Sequence, residues 1–180
     1  MKTELFNGKK ITIRTIKKSD VKKAKAFWEF INSLIKEDAM ILQNKKATPK
    51  AEIEFLENIL KTKNKKTGVF LVAECDGNIV GSTNITLEKW RRSHIGKFGI
   101  AIRNGYRGIG LGKCLMAEII KLAKKELKPR LKIVQLEVYA NNEPAMQLYK
   151  KMGFTIVARR PKQVQYKGKL IDDFIMMRQV

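Results

Sequence analysis

The stretch Arg107-Gly108-Ile109-Gly110-Leu111-Gly112-Lys113 sets three glycines at alternate positions between two apolar segments. Phe98-Gly99-Ile100-Ala101-Ile102 precedes it, and an amphipathic segment opens at Leu111. A glycine-rich turn from strand to helix suits an anion. The missing Cβ lets backbone approach a ligand, the first N–H groups of a helix lack partners, and the helix dipole favours negative charge there. Taken alone, the loop fits equally well a packing role in which the glycines let strand and helix lie close.

Two nucleotide motifs fail on spacing. A Walker A loop needs glycine five residues before its Gly-Lys and a hydroxyl after it, but position 107 is Arg and position 114 is Cys. A dinucleotide fingerprint needs its third glycine at 113, which is Lys, and opens a repeating βαβ unit. This loop instead follows a meander of strands.

Working outward, Ile11 to Ile16 is apolar at every second position and reads as a half-buried strand. Ser19 and Asp20 offer capping chemistry for a helix from about Val21 to Glu37. Thr48-Pro49 announces a second helix striped by Ile53, Leu56, Ile59 and Leu60, with Lys61 to Thr67 as a solvated connection. Val69–Cys75 and Ile79–Ile85 flank Asp76-Gly77-Asn78 as a hairpin, and a strand from about His94 to Arg103 leads into the glycine loop. The following helix ends at Pro129. Ile133–Tyr139 is a strand, Asn142 opens a short helix closed by Gly153, and Phe154–Gln165 with Leu170–Arg178 forms a terminal hairpin.

The 180 residues are 44% hydrophobic and 31% charged, a profile that excludes a disordered chain and suits one domain over 1–180. No apolar run approaches the ~20 residues of a membrane span, and the N-terminus lacks a signal-peptide core. Cys75 and Cys114 stand far apart without a His partner, so no metal or disulfide framework is expected. These features predict a cytoplasmic protein. The formal net charge of +21 attracts polyanions or merely decorates solvent faces.

The glycine loop has a second motif about thirty residues downstream: Asn142-x-x-Ala145-x-x-x-Tyr149-x-x-x-Gly153-Phe154. With Arg107-x-x-Gly110-x-Gly112, this pair resembles the GNAT acetyltransferase superfamily. Thr12-Ile13-Arg14, Asp20 and the hairpin segment Asp172–Met176 resemble it too, so the likeness spans nearly the whole chain. Arg91-Arg92-Ser93-His94 before Phe98-Gly99-Ile100 resembles a branch containing amino-acid, polyamine and phosphinothricin-like N-acetyltransferases. Lys97 departs from that branch, whose relatives carry an acid there.

The resemblance implies an α/β (α+β) fold: a mixed, mostly antiparallel sheet of six to seven strands, splayed in the middle, with about four helices. Acetyl-coenzyme A then lies in the gap between the strand ending at Arg103 and Ile133–Tyr139, and no metal is needed. Backbone groups of Ile100, Ala101 and Ile102 pair with the pantetheine arm. The amides of Gly108, Ile109, Gly110, Leu111, Gly112 and Lys113 take the pyrophosphate, with Arg107 and Lys113 adding cations. Asn142 caps its helix and reaches the pantetheine.

Acetyl transfer to an amine needs a neutral nitrogen, although alkyl ammonium titrates near ~10.4. It also needs a proton for the departing thiolate. By resemblance Tyr149 is that acid; by spacing, four residues after Ala145, it also reads as a core aromatic. Glu137, twelve residues before Tyr149 in an apolar strand, matches a glutamate base of ribosomal-protein acetyltransferases or is a hydrogen-bonded structural carboxylate. His94 and a water relay are the other candidates. Position in the implied fold nominates Trp28, Glu37, Asp38, Met40, Tyr166 and Asp172 for the acceptor side, with Glu37 and Asp38 suited to a cationic amine.

The expected activity is acetyl transfer from acetyl-coenzyme A to a small amine or amino acid by direct attack in a ternary complex. Acetylation of protein N-termini or lysines is the alternative within the class, and a basic nucleic-acid or ribosome-binding module the alternative outside it. The implied partners are a small-molecule or protein amine, a second copy of the chain, and non-specific polyanions.

Overall fold

The computed structural model describes residues 1–180. In chain order the elements are β1 (Lys2–Phe6), β2 (Lys9–Thr15), α1 (Lys18–Lys22), α2 (Ala24–Lys36), α3 (Pro49–Asn64), β3 (Gly68–Cys75) and β4 (Asn78–Leu87). They continue with β5 (Ile95–Ile102), α4 (Leu111–Glu126), β6 (Ile133–Tyr139), α5 (Glu143–Lys151), β7 (Thr155–Tyr166) and β8 (Lys169–Gln179). One sheet runs β1-β2-β3-β4-β5-β6-β8-β7, antiparallel throughout except where β5 meets β6.

Both faces of the sheet centre are covered. Val69, Leu71 and Ala73 join the core under α4 and α5, while Phe70 and Val72 face Phe27, Phe30, Leu34 and Leu56 of α2 and α3. A strand buried on two sides reads as a continuous apolar run, which is what 69–73 shows. Where β5 meets β6, a Cβ on Gly96 would lie 2.5 Å from Ile85 and 2.7 Å from Leu131. That junction closes only around a glycine.

The sheet has eight strands, not six to seven, and the helices number five rather than four. The extra strand is β1, paired from Lys2↔Ile13 to Phe6↔Lys9 through Asn7-Gly8 at φ 48° and 77°. Asn-Gly is the preferred I′ hairpin turn. Only Phe6 of β1 is buried, so the strand carries almost no apolar signal. The expected helix 21–37 is broken at Lys23, and α3 continues to Asn64, where a solvated connection had been expected from Lys61. On α3, Ile53 is exposed and Glu52 buried, reversing their expected places.

Asp20 is not the N-cap but the third residue of α1, which begins at Lys18. Its carboxylate accepts from the Lys17 amide at 2.7 Å and from Arg14 at 2.8 Å through both oxygens. Arg14 turns its remaining edge to Glu74 at 2.7 and 2.8 Å. This triad ties β2, β3 and α1 together with Asp20 only 2% exposed. Burial pushes the Asp20 carboxyl upward, but Arg14 and the Lys17 amide outweigh it and hold it below 3.8. Its contribution is therefore present above about pH 4 and lost as pH falls through the lowered value. Asp20→Ala removes one of the two carboxylates on Arg14 and the acceptor of the Lys17 amide, and is expected to cost about 2 kcal/mol in urea unfolding at neutral pH. The deficit relative to wild type should shrink in acid.

Candidate active site

β5 and β6 pair over three positions, Ile95↔Ile133, Gly96↔Val134 and Lys97↔Gln135, and then part. β5 runs on to Ile102 and β6 to Tyr139, leaving two main-chain edges facing a gap. The β4 ladder shows which groups are free. Arg103 donates to Val80 O at 2.9 Å and Glu88 to Ile95 O at 2.8 Å, so the odd-numbered residues of β5 bond to β4. Ile100 and Ile102 therefore direct their main-chain groups into the gap. Ala101 does not: its amide and carbonyl are spent on Ser82, which corrects its place in the expected pantetheine set.

At the end of β5 the glycine motif divides into two roles. Gly108 and Gly110 stand at φ 75° and 90°, a left-handed turn that side-chain-bearing residues resist. Gly112 is helical, and a Cβ there would meet Leu148 at 3.1 Å and Ile102 at 3.3 Å, so it serves close packing of α4. None of the amides from Arg107 to Lys113 donates to a protein acceptor, and Gly110 gives the helix no side-chain cap. Leu111 is buried and Ile109 packs on the core, which leaves their amides as what they offer the loop's outer face. Lys113 is exposed without a carboxylate partner. Arg107 is not a free cation, because it bonds Ile102 O at 2.7 Å and pairs with Glu37.

Across the gap, Tyr149 is 7% exposed, edge-on to Phe98 at 6.2 Å and tilted against Phe154 at 6.2 Å. Its spacing thus serves the core as well. Its hydroxyl has no protein partner and is not sealed from the surface. Burial pushes its pKa up to about 12. Asn142 caps α5, its Oδ1 accepting from the Ala145 amide at 3.3 Å.

The opposite face of β6 carries Gln135, Glu137 and Tyr139. Glu137 accepts from Lys97 at 3.3 Å on one oxygen and Arg160 at 2.7 Å on the other, so it is no solitary carboxylate. Arg160 also holds the buried Asp173. Gln135, 3% exposed at the fork of the two strands, has an Oε1 with no partner. His94 lies at the closed end of the fork, its carbonyl accepting from Lys132 at 2.9 Å. That puts it outside the gap.

The acceptor-side nominations fare unevenly. Glu37 pairs with Arg107, and Asp38 lies 3.9 Å from Lys167, so neither stands ready for a cationic amine. Trp28 donates to Ala47 O at 2.7 Å and secures the segment between α2 and α3. Tyr166 donates to Asp38 O at 2.9 Å, bringing the terminal hairpin onto that segment. Met40 on it is half-buried. Asp172 is turned to Arg159 and the Lys162 amide within the hairpin. Tyr139, absent from the expected set, donates to Ile41 O at 2.9 Å and stacks edge-on with Tyr166 at 5.9 Å. Its alternation with Gln135 and Glu137 was the available signal. Arg160 was missed because nothing in the sequence registers β7 against β6.

An open β-edge beside a run of free amides, with a buried tyrosine across the gap, can take an extended amide-bearing chain that ends in an anion. Residues 28–154 match the Acetyltransferase (GNAT) family, and the chain belongs to it. The L-amino acid N-acetyltransferase of Escherichia coli is 35% identical over 109 residues, which are 60% of this chain and 66% of that protein. A GNAT-family acetyltransferase structure from Streptococcus pneumoniae superposes with TM-score 0.81 at 29% identity, over 94% of this chain and 99% of the other. A phosphinothricin acetyltransferase from Sinorhizobium meliloti, solved in complex with AcCoA, shares the fold at TM-score 0.78 and 15% identity, over 94% and 88% of the chains.

A Cβ added at Gly108 would have no atom within 4 Å, so a side chain there meets open space. Aspartate tolerates the left-handed region better than most residues. Gly108→Asp is expected to keep the fold, by circular dichroism, and to weaken binding of a diphosphate-bearing ligand more than tenfold in calorimetry. Unchanged affinity would contradict the cradle.

Proposed function

We propose that the chain is an N-acetyltransferase moving acetyl from acetyl-coenzyme A to the primary amine of an amino-acid-like acceptor, both bound together, with residues 1–180 acting as one domain. The observation carrying this is the run of unbonded amides from Arg107 to Lys113, opening onto the free edge of β5. A pyrophosphate fits those amides and the positive end of α4. An amide-bearing pantetheine arm fits the main-chain groups of Ile100 and the amide of Ile102 as an added strand would, the Ile102 carbonyl being held by Arg107. The Asn142 amide, already capping α5, is available to the same arm.

The bound thioester supplies an activated acetyl group and a thiolate leaving group. Tyr149 holds the proton that leaving group needs: with its pKa near 12 it stays protonated at neutral pH, and its hydroxyl owes no bond elsewhere. Glu137 receives the acceptor's proton, directly or through water, once one of its two cation contacts yields. The alternation of Lys97, Glu137, Arg160 and Asp173 suits a zwitterion, with the acceptor carboxylate on a cation and its ammonium on a carboxylate. The likeness to an L-amino acid N-acetyltransferase supports that class.

Thiol release from acetyl-coenzyme A against a panel of L-amino acids, polyamines and peptides tests the reading. L-Amino acids should turn over fastest, and Tyr149→Phe should lower kcat by roughly a hundredfold or more. Turnover of peptide amines alone would overturn the acceptor class and leave the cofactor reading standing. Tyr149 also predicts an alkaline limb in stability. Its folded pKa is raised from 10.0 to about 12, so the contribution of the neutral phenol is complete below pH 10 and lost as pH rises through 12. Urea midpoints measured on either side of that window should fall less for Tyr149→Phe than for wild type.

A further inference from the structure

Charge is distributed unevenly over the molecule. Around the cleft, arginines are matched: Arg14 to Asp20 and Glu74, Arg107 to Glu37, Arg159 to Asp172, and Arg160 to Glu137 and Asp173. At the opposite end of the sheet Arg91 and Arg130 are not, although Arg92 pairs with Glu88 at 3.2 Å. From Lys113 to Lys132 the chain carries seven Lys or Arg against two Glu, and the only pair formed within that stretch is Lys125 with Glu126 at 4.0 Å.

Backbone hydrogen bonds gather three cationic segments at this end. The Lys128 amide donates to Lys66 O at 2.8 Å, and the Lys132 amide to His94 O at 2.9 Å. These bonds bring the turn before β3, the β4–β5 connection and the chain beyond α4 side by side. Lys66, Lys89, Arg91, Lys128, Arg130 and Lys132 are all exposed, and none has a carboxylate partner. Six exposed cations without carboxylate partners repel one another.

Trp90 stands in this cluster. It is 88% exposed at φ 53°, flanked by Lys89 and Arg91-Arg92. An indole held out in solvent in a backbone region that tryptophan resists has no packing rationale. Beside the cluster, Arg130 continues into an open hollow of about 680 Å³ with cationic walls, including Lys121, Lys124 and Arg178, over a floor of Ala117, Ile120 and Met152. No acidic residue lines it. α4 separates this end from the glycine loop by its own length, roughly 24 Å for sixteen residues. The cradle's anion therefore does not reach it.

We propose that this end is a docking surface for single-stranded nucleic acid, its phosphodiester backbone running along the Lys128–Lys132 cations and a base stacking on Trp90. Phosphates account for the unmatched cations, and an unpaired base accounts for the solvent-held indole. A duplex offers the charge but hides its base faces, and an acidic protein does not repeat a charge and a flat ring at every residue.

Fluorescence anisotropy of a labelled oligouridylate of about 15 nucleotides, titrated with the full chain, tests this. Saturable binding is expected at roughly 50 mM salt, weakening about fiftyfold by 200 mM if four phosphates are engaged. Trp90→Ala should weaken it about fivefold or more and Trp90→Phe should restore most of the loss. Lys128→Glu with Arg130→Glu should weaken it at least tenfold, while affinity for acetyl-coenzyme A is retained. Because Trp90 is solvent-held, its variants decide the matter if the charge-reversed protein proves misfolded by circular dichroism. Absence of saturable binding at low salt overturns the proposal. So does equal competition by a duplex or by polyglutamate, or an equal loss from Lys113→Glu, which would place the anion in the glycine cradle.

Discussion

Everything in the cleft depends on two strands that agree for three residues and then separate. Main-chain amides and carbonyls removed from water need partners, and a sheet ordinarily supplies them sideways. After Lys97 and Gln135 that supply stops. The closed end is packed around Gly96 so tightly that a single methyl group would wedge it, which fixes the fork from below. The open end therefore presents a fixed edge, and the amides of the 107–113 turn lie where that edge runs out. What the gap offers a ligand is mostly backbone, with side chains setting its shape.

The side chains that line the cleft are correspondingly constrained by one another. Glu37, Glu137 and Asp173, each a carboxylate that looks available in the sequence, are committed to Arg107, Lys97 or Arg160. Tyr149 keeps a hydroxyl near the cleft without a protein partner and within reach of solvent. Its ring is held by Phe98 and Phe154, so its core role and the acid role proposed for it rest on one placement. The pairing of acids with bases in the cleft also leaves exposed cations without partners elsewhere, among them Lys128, Arg130 and Lys132 beyond the far end of α4.

The glycine loop, its helix and the Asn142–Phe154 motif were legible because each is local: periodicity, a cap and a turn lie within a few residues of one another. What escaped was non-local or nearly silent in hydropathy. β1 shows a single buried side chain, yet its Asn7-Gly8 turn was a readable signal that the polar composition masked. Asp20 looked like a cap because capping chemistry is shared by any aspartate near a helix start; its commitment to Arg14 depends on β2 meeting β3. The engagement of Glu137 by Arg160 required knowing that β8 inserts between β6 and β7. For Ala101, the direction of one amide turned on ladder parity, which no residue type encodes.

Tyr139 and Tyr166 grip the segment between α2 and α3 by the carbonyls of Ile41 and Asp38, and Trp28 grips it by that of Ala47. A carbonyl is common to every amino acid. The segment is thus suspended largely by atoms that mutation cannot remove, with Asp38 beside Lys167 as a side-chain tie to the hairpin. Such an arrangement lets most side chains of the segment drift in sequence without the frame that carries it coming loose.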